Sequence, residues 1–333
     1  MRRDLAGRVA VVVGASSGIG RAAANRLAAE GAVVVCAARG KAALDATVAE
    51  IRHAGGKAHA VPCDVADREQ VESLARQVAA EHGRIDVWAN VVGIATYGTV
   101  EQTPPEEFER VVRVNFLGHV WGAYAALPHL RETAGTLIGV SSVVGVRAVP
   151  LLASYSASKW ALRGFYDALR MELRRERTGV EVTTILPSSV DTPFFLHARS
   201  RLGTRPRPIP PVYDPDVVAA AIVRAAKRPT REVVVGGSGA GLLVLQRLAP
   251  AFSDRLLNAG GLVWRLQRDT RPDDVHDTLD EPLDGAGAVR GGWRGHVSHT
   301  SAYTALAGQR PWVTRALVAG TAALTVRRLR RCR

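Results

Sequence analysis

The sequence predicts an α/β fold: a doubly wound, seven-stranded parallel sheet with helices on both faces, followed by a mainly helical C-terminal extension. Three observations carry this. Short Val/Ile-rich runs alternate with longer Ala/Leu/Arg segments of helical period, the pattern of parallel strands joined by crossover helices. Runs such as Val9-Ala10-Val11-Val12-Val13 are apolar at every position, as strands covered on both faces must be. The alternation stops near Gly236, leaving residues 237–333 as a separate extension.

In chain order the expected strands are Val9 to Val13, Val33 to Ala37, Ala58 to Pro62, Ile85 to Ala89, Thr136 to Ser141, Glu181 to Leu186 and Glu232 to Val235. Helices are expected over Gly18 to Glu30, Glu69 to His82, Pro105 to Leu127 and Ser154 to Arg177. The extension reads as a leucine-rich helical segment, 240–267, broken at Pro250; a Pro/Asp-rich linker, 269–284; a Gly/His-containing stretch; and a basic tail, 311–333. With 333 residues, 47% hydrophobic and 23% charged, the composition excludes collagen-like, disulfide-scaffold and wholly disordered chains.

The three cysteines, Cys36, Cys63 and Cys332, form no C-x-x-C pair, and the histidines show no ligand spacing, so neither a disulfide framework nor a metal site is expected. The apolar run Val9 to Val13 is too short for the core of a signal peptide, and a reducing cytoplasm is the expected location. The net charge of +13 raises a nucleic-acid reading, but seven arginines after Thr300, with no acid among them, hold over half of the surplus. No nucleic-acid partner is expected.

Directly after the first strand stands Gly14-Ala15-Ser16-Ser17-Gly18-Ile19-Gly20, opening a helix. Glycines there permit a tight turn and let backbone N–H groups approach a pyrophosphate at the positive end of the helix. With a strand before and a helix after, this predicts dinucleotide binding. The second strand ends Cys36-Ala37-Ala38-Arg39, where an acid would favour NAD(H); Arg39 instead supplies a guanidinium for a 2′-phosphate, and Arg21 a second cation, so NADP(H) is expected over NAD(H). The alternative for Arg39 is a solvated surface charge. Asp64 is placed to accept a hydrogen bond from adenine, or equally to cap a helix.

Tyr155 and Lys159 lie four apart near the start of a helical pattern and share a face. An ammonium beside a phenol stabilises the phenolate and brings its pKa toward the working range. Ser142 ends a strand at the carboxyl edge, where open α/β sheets bind ligands, and its hydroxyl could hold a carbonyl oxygen.

On these motifs the segment from Leu5 to Gly236 resembles the short-chain dehydrogenase/reductase family, whose fold is of the Rossmann type. The glycine loop, Asn115 in Val114-Asn115-Phe116, Ser142, Tyr155 and Lys159 appear in family order. The resemblance implies an enzyme interconverting a carbonyl and a secondary alcohol by hydride transfer. Tyr155 would be the general acid and base, Ser142 would orient the substrate oxygen, Lys159 would lower the tyrosine pKa and bind the nicotinamide ribose, and Asn115 would anchor a relay water. It places cofactor contacts at Gly14, Ser16, Ser17, Gly18, Ile19, Gly20, Val65, Asn90, Gly93 and Pro187, and at Val190 and Thr192 for the carboxamide. It also implies a homodimer or homotetramer, and admits epimerisation, dehydration or a non-catalytic NADPH-binding scaffold as alternatives.

Three positions depart from the family pattern: Val13 before the first glycine, Val91-Val92 after Asn90, and Ser188 after Pro187, where the backbone must avoid glycine-only conformations. Residues 193–213, with Phe194, Phe195 and a proline cluster, read as a lid over an apolar or bulky substrate, and residues 95–99 as another wall. The leucine-rich segment 240–267 could cover the substrate mouth, join subunits or lie on a membrane. The tail, with Trp312, an apolar run over 316–326 and five arginines after it, resembles an interfacial membrane anchor, with a soluble tail as the alternative.

Overall fold

The computed structural model describes residues 3–272, 276–282 and 285–307. The sheet comprises β1 (Val9–Val13), β2 (Val33–Ala38), β3 (Lys57–Pro62), β4 (Val87–Asn90), β5 (Thr136–Val140), β6 (Glu181–Pro187) and β7 (Glu232–Val235). All pairings are parallel, in the order β7-β6-β5-β4-β1-β2-β3. Succession reverses between β1 and β4, so a crevice opens at their carboxyl ends. Every residue of β1 and β5 is buried, because helices cover both faces. The edge strands β3 and β7 instead carry exposed Lys57 and Glu232 at their starts.

One face is covered by α1 (Gly18–Ala29) and α2 (Lys41–His53), together with α7 (Pro215–Lys227). The other is covered by α3 (Arg68–His82), α4 (Pro105–Val112), α5 (Gly118–Thr133) and α6 (Ala153–Glu176). Leu27, Leu44 and Ile222 fill the first core and Leu74, Leu130 and Leu162 the second, each at most 2% exposed. At about 25 cal/mol per Å² of apolar surface removed from water, each such side chain contributes roughly 2 kcal/mol.

Two helices depart from expectation. The segment expected as one helix from Pro105 to Leu127 is α4 and α5 separated by a π-turn, Arg113–Leu117, and α5 runs on through Pro128 to Thr133. Proline removes one helical hydrogen bond, but burial of Leu130 just beyond it holds the last turn in place. The cap of α3 is Asp67, whose side chain accepts from the N–H groups of Glu69 and Gln70; Asp64 is not the cap.

The extension begins with α8 (Gly237–Leu248) and α9 (Pro250–Asn258), with Pro250 at the first position of α9, where its missing N–H costs nothing. Residues 268–272 then pair antiparallel with 204–206, and Val297–Ser298 pairs with Val212–Tyr213. Leu279, 1% exposed, belongs to the second core, so the extension packs into the fold. The expected basic tail, 311–333, and its Cys332 lie outside the described residues; Cys36 and Cys63 are buried free thiols. Among the described residues no helix is long and apolar enough to cross a membrane.

Candidate active site

A cleft of ≈ 850 Å³ opens at the carboxyl edge of the sheet. Its floor is the turn from β1 into α1. Gly18 there has φ +54°, a left-handed conformation, and a Cβ at Gly20 would overlap the Gly14 carbonyl oxygen. The N-cap, Ser17, makes no side-chain hydrogen bond to the first turn, so Ile19 and Gly20 face the cleft with the helix's positive end behind them. This suits a pyrophosphate. Gly14, Ser16, Ser17, Arg39, Asp64, Val65, Gly93, Pro187, Val190 and Thr192 also line the cleft.

Ser142, Tyr155 and Lys159 converge at the far end. The Ser142 hydroxyl lies beside the Tyr155 phenol and acts to lower its pKa, while its own hydrogen bonds come from the Val144 N–H at 3.3 Å and go to the Pro187 carbonyl at 3.4 Å. Lys159 is 2% exposed, its Nζ donating to the carbonyls of Val140 at 3.0 Å and Val92 at 3.3 Å, and it lies 5.6 Å from the Tyr155 ring centre. Gly93 lies against the ammonium; a Cβ there would stand in ordinary contact, 3.5 Å from Nζ. Burial pulls Lys159 down to about 7. It pushes Tyr155 up to about 12, against the nearby Ser142 hydroxyl, which acts downward. Desolvation sets the direction, and the expected lowering of the phenol by Lys159, 5.6 Å from the ring centre, is not seen in this arrangement.

Asn115 occupies the π-turn, fully buried. Its Oδ1 accepts from the Ile94 N–H at 2.8 Å, and its Nδ2 donates to the Ile94 carbonyl at 2.9 Å and to Ser158 Oγ at 3.2 Å. The extra residue of a π-turn rotates the side chain out of the helical series, and such turns often mark functional sites. Asn115 thus sets the backbone that carries Ile94 and Gly93 into the cleft wall; it does not itself line the cleft.

Two cofactor contacts expected from sequence do not reach the cleft. Asn90 is 1% exposed and sealed beneath it: its Oδ1 accepts from Trp88 Nε1 at 2.9 Å, and its Nδ2 donates to the His119 carbonyl and the Tyr166 hydroxyl, each at 3.3 Å. Arg21 turns away toward α2, pairing with Glu50 at 2.9 Å and donating to the Ala286 carbonyl at 2.6 Å. Asp64 lines the cleft but is shared: it accepts from the Ala66 N–H at 2.9 Å and pairs with Arg110 at 3.3 Å. Arg39 is no solvated charge; its guanidinium donates to the carbonyls of Thr278 at 2.7 Å and Asp280 at 2.8 Å.

The remaining wall is apolar. Phe194 stacks 5.3 Å from Tyr155, Tyr97 is buried beside the site, and Leu242, Leu257 and Val263 of the extension close the mouth. Ser188 has no left-handed backbone, so its replacement of glycine carries no strain. Sequence gave no role to His119, which sits behind the cleft 3.0 Å from the Tyr166 hydroxyl; burial, and then the Lys159 charge, hold it well below its ordinary pKa. His59, Glu81 and His82 also meet, away from the cleft, with ligand atoms within 4.8 Å of one another. Arg52 lies beside His59 and opposes a cation there.

Comparison with known proteins agrees with this geometry. The family model for short chain dehydrogenase matches residues 8–202. The chain belongs to the short-chain dehydrogenase family. It is an oxidoreductase of that family, and two named relatives bracket its architecture. The uncharacterized oxidoreductase YxnA of Bacillus subtilis (strain 168) is 35% identical, over 99% of this chain and 93% of that protein. Estradiol 17-beta-dehydrogenase 11 of Mus musculus is 30% identical, over 75% of this chain and 82% of its own. Among solved structures, a metagenomic short-chain oxidoreductase in complex with NADP is 32% identical with TM-score 0.61, covering 70% of this chain and 98% of its own. An alcohol dehydrogenase of the archaeon Thermococcus sibiricus, complexed with 5-hydroxy-NADP, is 28% identical with TM-score 0.60, covering 68% of this chain and 95% of that one.

Proposed function

We propose that the protein is an NADP(H)-dependent oxidoreductase that interconverts a carbonyl and a secondary alcohol, with Tyr155 as general acid and base. The observation that carries this is the convergence of the Tyr155 phenol, the Ser142 hydroxyl and the buried Lys159 ammonium in one cleft floored by a glycine-rich helix start. A bound nicotinamide supplies or accepts the hydride. In reduction Tyr155 gives its proton to the substrate oxygen, which Ser142 holds by hydrogen bond; in oxidation Tyr155 takes the proton back. Lys159, fixed by two carbonyls, holds positive charge where a phenolate would form.

The NADP(H) preference rests on Arg39, which lines the cleft where a 2′-phosphate would lie, and is supported by the NADP and 5-hydroxy-NADP bound in two solved relatives. Gly14, Ser16, Ser17, Ile19 and Gly20 would hold the pyrophosphate, the Gly18 N–H being taken by the Ala288 carbonyl, and Pro187, Val190 and Thr192 the carboxamide. The walls of Phe194, Phe195, Leu196 and Leu242 suit an apolar substrate. Exposed Tyr124, Trp160 and Met171 on α5 and α6 support a homodimer or homotetramer through those helices. Exposed Leu248, Phe252, Leu256 and Leu262 support peripheral membrane contact by α8, α9 and the residues after them, and binding to anionic phospholipid vesicles tests it. The buried, free Cys36 and Cys63 suit a reducing cytoplasm.

The test is a carbonyl panel with deuterium-labelled NADPH. Deuterium on the product carbinol carbon is expected, and Tyr155→Phe should lower turnover by roughly 10²–10⁴ while leaving NADPH binding in place. Product formed without cofactor consumption means epimerisation or dehydration. Tight NADPH binding with no turnover, unaffected by Tyr155→Phe, means a scaffold.

A further inference from the structure

Two described stretches of the extension, 276–282 and 285–293, return to the cleft. The stretch 276–282 starts at the adenosine side. Asp277 pairs with Arg199 through two hydrogen bonds of 2.9 and 3.0 Å, the Thr278 N–H donates to the His197 carbonyl at 3.0 Å, and Arg110 donates to the Leu279 carbonyl at 3.1 Å. The stretch that resumes at Gly285 lies on the glycine loop: the Gly18 N–H donates to the Ala288 carbonyl at 2.9 Å, and Arg21 to that of Ala286. It ends beside the opposite loop, where Arg290 pairs with Asp214 at 2.8 Å and the Trp293 N–H donates to Asp191 at 3.0 Å.

These anchors use ion pairs, buried backbone and a buried leucine, so the strap is built into the fold. Thr278, Pro282, Gly285, Gly287, Ala288 and Arg290 line the same cleft as the glycine loop. Gly287 and Gly291 are the points of closest approach, against the Ser16 and Thr192 carbonyls respectively, and Gly287 lies on the glycine loop. The φ of Gly287 is +65°, and a Cβ there would overlap the Ser16 carbonyl oxygen, so only glycine lets the strap lie flat on the loop.

We propose that this strap is a wall of the cofactor site: it covers the dinucleotide along its length, and its Thr278 and Asp280 carbonyls hold the Arg39 guanidinium in place for a 2′-phosphate. The proposal rests on the NADP(H) reading above. Of the five N–H donors of arginine, two go to the strap carbonyls, and among the described residues three are left for a phosphate. A guanidinium fixed before binding loses less freedom on binding, and a cover that must lift sets the rate of release.

The experiment uses the full-length protein loaded with NADPH and chased with excess NADP⁺, following the fluorescence of the reduced nicotinamide by stopped flow. Equilibrium Kd is measured alongside. Gly287→Val, which pushes the strap off Ser16, should release NADPH roughly tenfold faster or more and weaken its Kd in proportion. Arg290→Ala, which cuts the half-buried ion pair to Asp214, should move both values the same way by less, and it stands in if the valine variant does not fold. Hydrogen exchange adds an independent readout: NADPH should protect the amides of residues 285–293 in the wild type. If the wild type binds NADPH and both variants release it at the wild-type rate, the strap is no part of the site. Tighter binding by either variant also overturns the proposal, because the strap then competes with the cofactor. A wild type that fails to bind NADPH removes the dinucleotide reading itself, and the strap's role with it.

Discussion

Replacing Lys159 with methionine should flatten the pH dependence of the protein's stability while disabling it. The ammonium is 2% exposed, and burial takes its pKa from 10.5 to about 7. Because the folded value is depressed, the unfolded chain binds more protons between those two values. The lysine therefore costs stability in full below about pH 7, and the cost fades as pH rises toward 10.5. Integrating that difference gives a penalty of roughly 4 kcal/mol at pH 7 and roughly 2 at pH 9. Methionine removes the charge but leaves the Val92 and Val140 carbonyls without the ammonium donor, a loss of about 1–3 kcal/mol for each. At pH 7 the two effects are of similar size and nearly offset, so the decisive expectation is a change in slope. Shifted histidines titrate below this window, and Cys36 and Cys63, raised to about 12 from 9.0, together lower stability by under about 1 kcal/mol by pH 9, equally in both proteins. Urea unfolding at steps from pH 7 to 9 should thus show the wild type gaining roughly 2 kcal/mol relative to Lys159→Met. Parallel slopes in the two proteins would refute the claim that a buried, destabilised ammonium sits beside Tyr155.

Two further outcomes follow from the same contacts. Arg39→Asp should weaken NADPH by roughly 10–100-fold, the scale of a charge-assisted hydrogen bond lost and a repulsion gained, and NADH by far less; Kd values by fluorescence titration check this, and equal effects on both would remove the assigned role. Asn115→Leu orphans the Ile94 N–H and carbonyl in a dry interior, so a loss of about 2–5 kcal/mol in urea unfolding is expected, together with weaker activity as the Gly93 wall shifts; a variant as stable as wild type means water replaces the amide.

The chemistry-bearing positions readable from the chain are those whose meaning is local. The four-residue step from Tyr155 to Lys159 puts both on one helical face whatever surrounds them, and the glycines from Gly14 to Gly20 satisfy a steric demand of their own turn. The uniformly apolar β1 announces a strand buried on both sides because no other placement hides all five residues. Where pattern and packing compete, the sequence is silent. Asn90 and Asn115 are equally polar and equally buried, yet one ties strand to helices beneath the cleft and the other braces its wall. A π-turn, which a 3.6-residue period does not reveal, separates their roles. Arg21 and Arg39 carry the same charge, and only the path of the chain decides that the first turns to Glu50 while the second faces the cleft. The pKa order of Tyr155 and Lys159 depends on how much water the fold excludes, which is a sum over many distant residues.

The extension shows the division most plainly. From Gly236 onward its composition marks a break in the alternating pattern, and Pro250 marks a helix start; nothing in its order of residues says that Gly287 will rest on Ser16, more than two hundred positions away. Secondary structure follows from neighbours along the chain. The return of a distant segment to the cleft is fixed by ion pairs and backbone hydrogen bonds between elements that only the folded sheet brings together.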